Sequence, residues 1–476
     1  MALSLALFAG GACKNKGGSR NPGAGGGGDA SVAKPSAEAK ADFKKVADRY
    51  TAAKASGPLS AAQCESFSRE FANLYKDYGS SMTIAWFNAG AVWEECKDIG
   101  KAEEIYKQII AKEPKFDLAF NNLGVIYWNR KQESTALDYF KRAVAANPRT
   151  TAPRNNLAAA LRNEYSSSPK QDDFEKAERE LQTVLAVDSS NRLAYENLAR
   201  LYYDRGRLKD KSYLLLAGLV VDQAMRVLKE ENVESSDLFN IQGLLLMERD
   251  NQVDALKAFK KAAQIEPNHA DANMNIAMIS LRFRDYAQAE SSLKTALKDG
   301  RQKKNIETYL GLGVAERGLR KYKDAEAAFK QAMEINGADP RPLYNLGILY
   351  QEHIAATQEG EFSKTPYETA KGYFEKFSSK AGGAAEYKDA VADAKSRIEN
   401  INQLFKDIEE MKKLEAEAKK MEEEAKRQEE EERKRLLELE RKAKAAAAGS
   451  AAPPPAAEEK PAEKPAAEKK DAPAAK

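Results

Sequence analysis

The run DLAFNNLGVIYWNRKQESTALDYFKRAVAANPRT, residues 117–150, decides the fold. Phe120, Leu123, Gly124 and Tyr127 fall on one stripe of a first helix, and Ala136, Phe140 and Ala143 on one stripe of a second. Spacings of three and four residues are those of helices with one buried face. Gly124 and Ala136 are small where the two helices of a hairpin must approach closely. Phe120, Leu123, Tyr127 and Phe140 are large where the space between helices has to be filled. Pro148 ends the second helix, because proline has no N–H to give and its ring clashes with the preceding turn.

The same pattern recurs outward in both directions with a period of 34 residues. Upstream, residues 83–116 carry Trp86, Gly90, Trp93, Ala102, Tyr106 and Pro114. Downstream, 236–269 carry Phe239, Gly243, Ala255, Phe259, Ala262 and Pro267; 270–303 carry Ile276, Ala277, Ala289, Leu293 and Ala296; 306–339 carry Tyr309, Leu312, Gly313, Ala325, Phe329 and Ala332. Three further copies are stretched. Residues 151–191 take a Ser/Pro-rich insertion near Ser166 to Lys170, 192–235 have a long second helix at about Ser212 to Glu230, and 340–380 cross a loop around Gly360. A degenerate helical pair at 36–79, with Phe67, Phe71 and Leu74, caps the series.

On these residues the chain resembles the tetratricopeptide repeat family. The resemblance implies an all-α superhelical solenoid of about eight repeats over residues 83–380, behind a helical cap at 36–82. It also implies a concave surface lined by repeat positions 2, 5, 9, 12 and 13 of the first helices, where partner peptides or helices dock. The groove residues expected from it are Phe87, Asn121, Asn122, Trp128, Asn155, Asn156, Tyr203, Met274, Leu281 and Tyr344. Asparagine at position 6 is common in the family as a scaffold feature, so ligand contact and internal packing both stand for those residues. Position 9 holds Ala91, Val125, Ala159, Arg200, Leu244, Met278, Val314 and Ile348, so the carboxylate-clamp Asn of the chaperone-binding members is absent from every copy. Apolar groups on that face would suit an amphipathic helix or an apolar peptide.

The two ends differ from the array. Residues 1–12, MALSLALFAGGA, form a short apolar run ending at Cys13, too short to span a membrane and suited to a secretory h-region. Small residues before Cys13 resemble the lipobox of bacterial lipoproteins, in which that Cys becomes the acylated first residue; no Lys or Arg precedes the run, and Gly10 stands where the family usually has Leu. Residues 13–35 are a Gly-rich tether. Cys64 and Cys96 are then an even pair, placed to form a disulfide if the chain is exported; otherwise they are two free, buried thiols.

Residues 381–448 read as a capping and charged single helix, with Ile398, Ile401, Phe405 and Ile408 covering the last repeat. Beyond Met411 it is laced with Glu-to-Lys or Glu-to-Arg pairs four residues apart, each adding about 0.2–0.5 kcal/mol. A coiled coil is the competing account, but its seam puts Gln428, Glu432 and Arg435 on consecutive core positions. Residues 449–476 are an Ala/Pro/Glu/Lys tail expected to stay disordered.

Composition narrows the function. The chain has 476 residues, and 76 Lys+Arg against 73 Asp+Glu give a net charge of +3, which is no general reason to bind nucleic acid. Two His and three Cys argue against a zinc site, a His-based triad or haem, and no metal or cofactor is expected. No phosphate-binding loop, dinucleotide motif, nucleophile elbow or His-Glu-x-x-His occurs, so neither an enzyme nor a small-molecule substrate is expected. The sequence points to a non-enzymatic scaffold docking other envelope proteins through the concave face. Lipid on Cys13 would anchor it to the outer membrane facing the periplasm. Tethered repeat lipoproteins with such tails resemble envelope components of myxobacterial gliding-motility machinery. The alternatives are an assembly factor for pili or outer-membrane proteins, and a cytoplasmic adaptor or co-chaperone.

Overall fold

A computed structural model describes residues 34–357 and 363–448. The expected signal at 1–12, Cys13, nearly all of the tether, the loop around Gly360 and the tail at 449–476 lie outside the described residues. The chain divides into two compact units, Met1–Thr357 and Gln358–Lys476. Every regular element among the described residues is helical.

The first unit is a succession of helical hairpins. They are α1 (Ala37–Ala55) with α2 (Ala61–Tyr78), α3 (Thr83–Glu95) with α4 (Ile99–Lys112), α5 (Asp117–Asn129) with α6 (Glu133–Ala146), and α7 (Ala152–Ser167) with α8 (Gln171–Val187). There follow α9 (Arg192–Leu208) with α10 (Ser212–Glu230), α11 (Ser236–Met247) with α12 (Gln252–Ile265), α13 (Ala270–Arg282) with α14 (Tyr286–Ala296), and α15 (Ile306–Gly318) with α16 (Tyr322–Ile335). The unit closes with α17 (Arg341–Ile348), continued by a π-helical turn over Leu349–Ile354 and a 3-10 turn over Ala355–Thr357.

One joint is repeated through the array. A Cβ built on Gly243 would lie 2.4 Å from the Phe259 ring, and Gly124 meets Phe140, Gly313 meets Phe329 and Gly90 meets Tyr106 in the same way. Each aromatic from a second helix therefore rests directly on the backbone of the first. Phe140, Phe259 and Phe329 are fully buried there, and each is worth about 1.5–3 kcal/mol of transfer from water. The turns are capped in register too. The side chains of Asp98, Asn251 and Asp285, at one repeat position, accept the N–H groups of Lys101, Asp254 and Gln288 and hold the start of each second helix. At the amino end, Ser60 and Gln63 form a capping box on α2, and a disulfide joins Cys64 of α2 to Cys96 at the end of α3.

Successive first helices contact one another, as α5–α7–α9–α11 and α13–α15–α17, whereas successive second helices do so at most marginally. Closer spacing on one side makes that side the inner curve of the solenoid. The first helices line the concave face.

The second unit contains α18 (Thr365–Ala381) and α19 (Lys388–Ala448). They pack through Tyr367 edge-on to Phe405 at 6.4 Å, and the Lys371 ammonium donates to the Asn402 carbonyl at 2.9 Å. Ala394 and Ile401 are buried. Beyond Met411, α19 stands in solvent, with Met411, Leu414, Met421 and Leu439 of the heptad seam all exposed. Ion pairs such as Glu422–Lys426 and Glu430–Lys434 run along it. At about 1.5 Å per residue its 61 residues reach roughly 90 Å.

Candidate functional site

The expected groove residues divide in two. Trp128, Met274, Leu281 and Tyr344 are half-buried on the first helices, with part of each side chain still reachable. Phe87, Asn121, Asn122, Asn155, Asn156 and Tyr203 are buried, and this corrects the expectation that they line an open groove. The cause is the close spacing of the first helices, which turns Phe87, Asn121 and Asn155 at position 5 and Asn122 and Asn156 at position 6 into the joint between repeats, while Tyr203 at position 12 turns toward Glu248 at the end of α11. The Phe87 ring lies 5.3 Å from Tyr106 and 5.7 Å from Phe116. The asparagines form a ladder. Asn156 donates to Asn121 at 2.8 Å, Asn121 to Asn122 at 3.2 Å, and Asn122 to the Tyr106 hydroxyl at 3.2 Å. Asn155 donates to Asn191 at 3.0 Å, and Asn275 to Asn240 at 3.0 Å further along. The Asn122, Asn156 and Asn275 amide N–H groups bond across repeats and tie them together, with the buried Asn155 Oδ1 left unpaired. The Tyr203 hydroxyl donates to Glu248 at 3.3 Å, and burial pushes its pKa up to about 12.

The middle of the face carries charges that engage one another. Arg162 meets Asp204 at 3.2 Å, and Arg200 meets Asp237 at 2.6 Å. The Nε2 of His269 lies 3.6 Å from the same Asp237, while its Nδ1 caps α13 by accepting the Ala272 N–H at 3.1 Å. Arg192 pairs with Glu196 at 2.5 Å, and Glu196 also accepts the Ser235 hydroxyl at 2.6 Å. Burial alone would raise Asp237, but His269 and Arg200 outweigh it and hold the carboxyl at about 2. Burial disfavours the His269 imidazolium, yet Asp237 beside it raises its pKa on balance. Sequence inspection missed this network because Arg162–Asp204 and Arg200–Asp237 join different repeats, while Asp237 and His269 stand at opposite ends of one; only Arg200, a cation at the otherwise apolar position 9, hinted at it.

Downstream, position 9 is apolar in four successive repeats: Leu244, Met278, Val314 and Ile348. Met278 is 43% exposed, and the other three are half-buried. Met247, Met274 and Leu281 border this lane. An unbranched methionine adapts to many apolar shapes. The lane can take an apolar helix face or extended peptide, whereas the charges of the middle are engaged in ion pairs with one another.

Models described as tetratricopeptide repeat match residues 97–149, 170–210, 246–308 and 306–339. Over these segments the chain carries tetratricopeptide repeats. Members of this family serve as protein-interaction scaffolds and are typically non-enzymatic. Among solved structures, it is similar to PilF of Pseudomonas aeruginosa (18% identity, 48% of this chain and 96% of that one, TM-score 0.36). It is also similar to a tetratricopeptide repeat protein of Parabacteroides merdae (16% identity, 56% and 98%, TM-score 0.39). No curated protein matches the chain. Among the described residues, no cluster of metal-ligating side chains occurs and no helix is long and apolar enough to cross a membrane.

Proposed function

We propose that this protein is a lipid-anchored scaffold of the bacterial cell envelope, facing the periplasm from the outer membrane. It docks partner proteins of a multiprotein complex, such as a gliding-motility machine, in the lane from Leu244 to Ile348. The observation that carries docking is the partly exposed apolar column at position 9, from Leu244 to Ile348, beside a stretch of the face where charges such as Arg200 and Asp237 engage one another. Export is supported by the Cys64–Cys96 disulfide, since such bonds persist in oxidising compartments. The anchor rests on Cys13 and the apolar run before it.

A photoreactive amino acid placed at Met278 in native cells tests the lane, with Lys141 on the outer surface of α6 as control. Discrete crosslinked species from position 278, absent from 141, are expected; adducts from 141 alone would move docking to the outer surface. Fractionating the same cells tests the anchor. The wild type should pellet with membranes and begin at an acylated Cys13, and Cys13→Ala should be released. A soluble, unprocessed wild-type chain would discard the envelope assignment and leave the lane to a cytoplasmic adaptor.

A further inference from the structure

The repeat array provides its own internal control for every surface position. Second helices share a fully buried alanine (Ala102, Ala136, Ala177, Ala217, Ala255, Ala289 and Ala325), and the residues one before and two after it face outward. In the other helices of this set those two positions are polar, as in Lys101 and Glu104 of α4 or Asp254 and Lys257 of α12, except that α16 pairs Asp324 with the small Ala327. On α10 they are Leu216 and Leu219, with Leu215 alongside, and the three are 39%, 56% and 62% exposed. Three leucines clustered in solvent on one turn of helix are not explained by the fold of a single chain.

We propose that α10 is a self-association surface, on which a second copy of this chain packs its own α10 antiparallel across a two-fold axis. The helix is self-complementary about the point midway between Leu216 and Ala217. In that register Leu215 of each copy faces Gly218 of the other. Gly218 leaves a shallow notch there, bordered by the Arg249 guanidinium, which stands 3.9 Å from where a Cβ would be. The same register sets Lys211 opposite Asp222. Both are exposed, and neither takes part in an ion pair among the described residues. A two-fold contact makes each of these pairings twice, which is how closed dimers are built. An unrelated partner would require no such symmetry between knob and notch, or between cation and anion. Because α10 lies on the outer side, the dimer leaves both concave lanes open.

The experiment is sedimentation of the full chain at increasing concentration. Wild type should approach twice the 52.5 kDa chain mass. Leu215→Glu with Leu219→Glu should remain a monomer of unchanged helicity. Lys211→Glu and Asp222→Lys should each weaken dimerisation by on the order of tenfold, and the two together should restore it. A wild type still monomeric at about 100 µM overturns the proposal, because interfaces weaker than that lie below specific self-association. A dimer that survives the double glutamate variant overturns it as well, by placing the contact elsewhere. So does a charge-swapped pair no tighter than its single variants, a comparison that holds even if the glutamates perturb folding.

Discussion

Gly243→Ala is expected to destabilise the array by about 1–3 kcal/mol, although the same change in a helix ordinarily stabilises by about 0.5–1 kcal/mol. The sign reverses because the new methyl group would sit 2.4 Å from the Phe259 ring, inside any allowed contact distance, and the ring is itself buried in a close-packed interior. Gly372→Ala in α18 is the internal comparison: nothing lies within 4 Å of a Cβ there, so it should stabilise. Phe259→Ala removes the obstructing ring and should itself cost about 3–5 kcal/mol through lost burial and the cavity left behind. Combining Gly243→Ala with Phe259→Leu should cost less than the sum of the two single changes, since both act on one contact. Hydrogen exchange of the α11 and α12 amides is the measurement, because a long repeat array need not unfold in one step. Additive costs, or a stabilised Gly243→Ala, would show that ring and backbone are not in the contact described.

How far the sequence revealed this molecule follows from the same joint. The glycine at repeat position 8, the aromatic at 24 and the alanine at 20 are fixed by contacts inside one hairpin, within about 20 residues of one another. Local constraints of that kind appear directly as periodicity, and they located the helices even in the stretched copy, where a second helix at about Ser212 to Glu230 matches α10. The site was less legible. Whether Asn121 or Phe87 faces a ligand or a neighbouring repeat depends on the distance between successive first helices. That distance is set by packing across repeats, and no single residue encodes it. Close spacing buries Phe87, Asn121 and Asn155 at position 5 and Asn122 and Asn156 at position 6, which decides between the ligand contact and the internal packing that the sequence leaves open for the position-6 asparagines.

The position-9 column was visible as a list of residues but not as a lane, because its continuity depends on how the repeats stack. Leu215, Leu216 and Leu219 were equally visible. Within the long second helix of a stretched copy, though, nothing in the sequence decides which leucines turn outward. The Asp237–His269–Arg200 group is a third case. Its members come from two consecutive repeats, Arg200 from one and Asp237 and His269 from opposite ends of the next, and each is unremarkable where it stands.

Glu94→Gln is expected to stabilise α3 and α4 by about 3 kcal/mol at pH 8 and to have almost no effect at pH 4. Glu94 is only 8% exposed, and burial pushes its pKa to about 7, although hydrogen bonds from Tyr106 and Asn122 pull the other way. In the unfolded chain the carboxyl returns to its ordinary value of 4.5. Below that value the carboxyl is neutral in both states, and Glu and Gln are equivalent. Between 4.5 and about 7 the folded chain keeps the proton that the unfolded chain has released, so wild-type stability falls as pH rises. Above 7 the loss is complete, and a buried carboxylate is left facing the Asn122 amide at 3.5 Å. Glutamine carries no charge to desolvate and retains an oxygen to accept from Asn122, so the variant should lack this decline. Local opening free energies of the α3 and α4 amides, followed from pH 4 to pH 8 for both proteins, would trace it. Parallel profiles would mean that Glu94 is already ionised below neutrality, with water or a shifted Tyr106 hydroxyl carrying its charge.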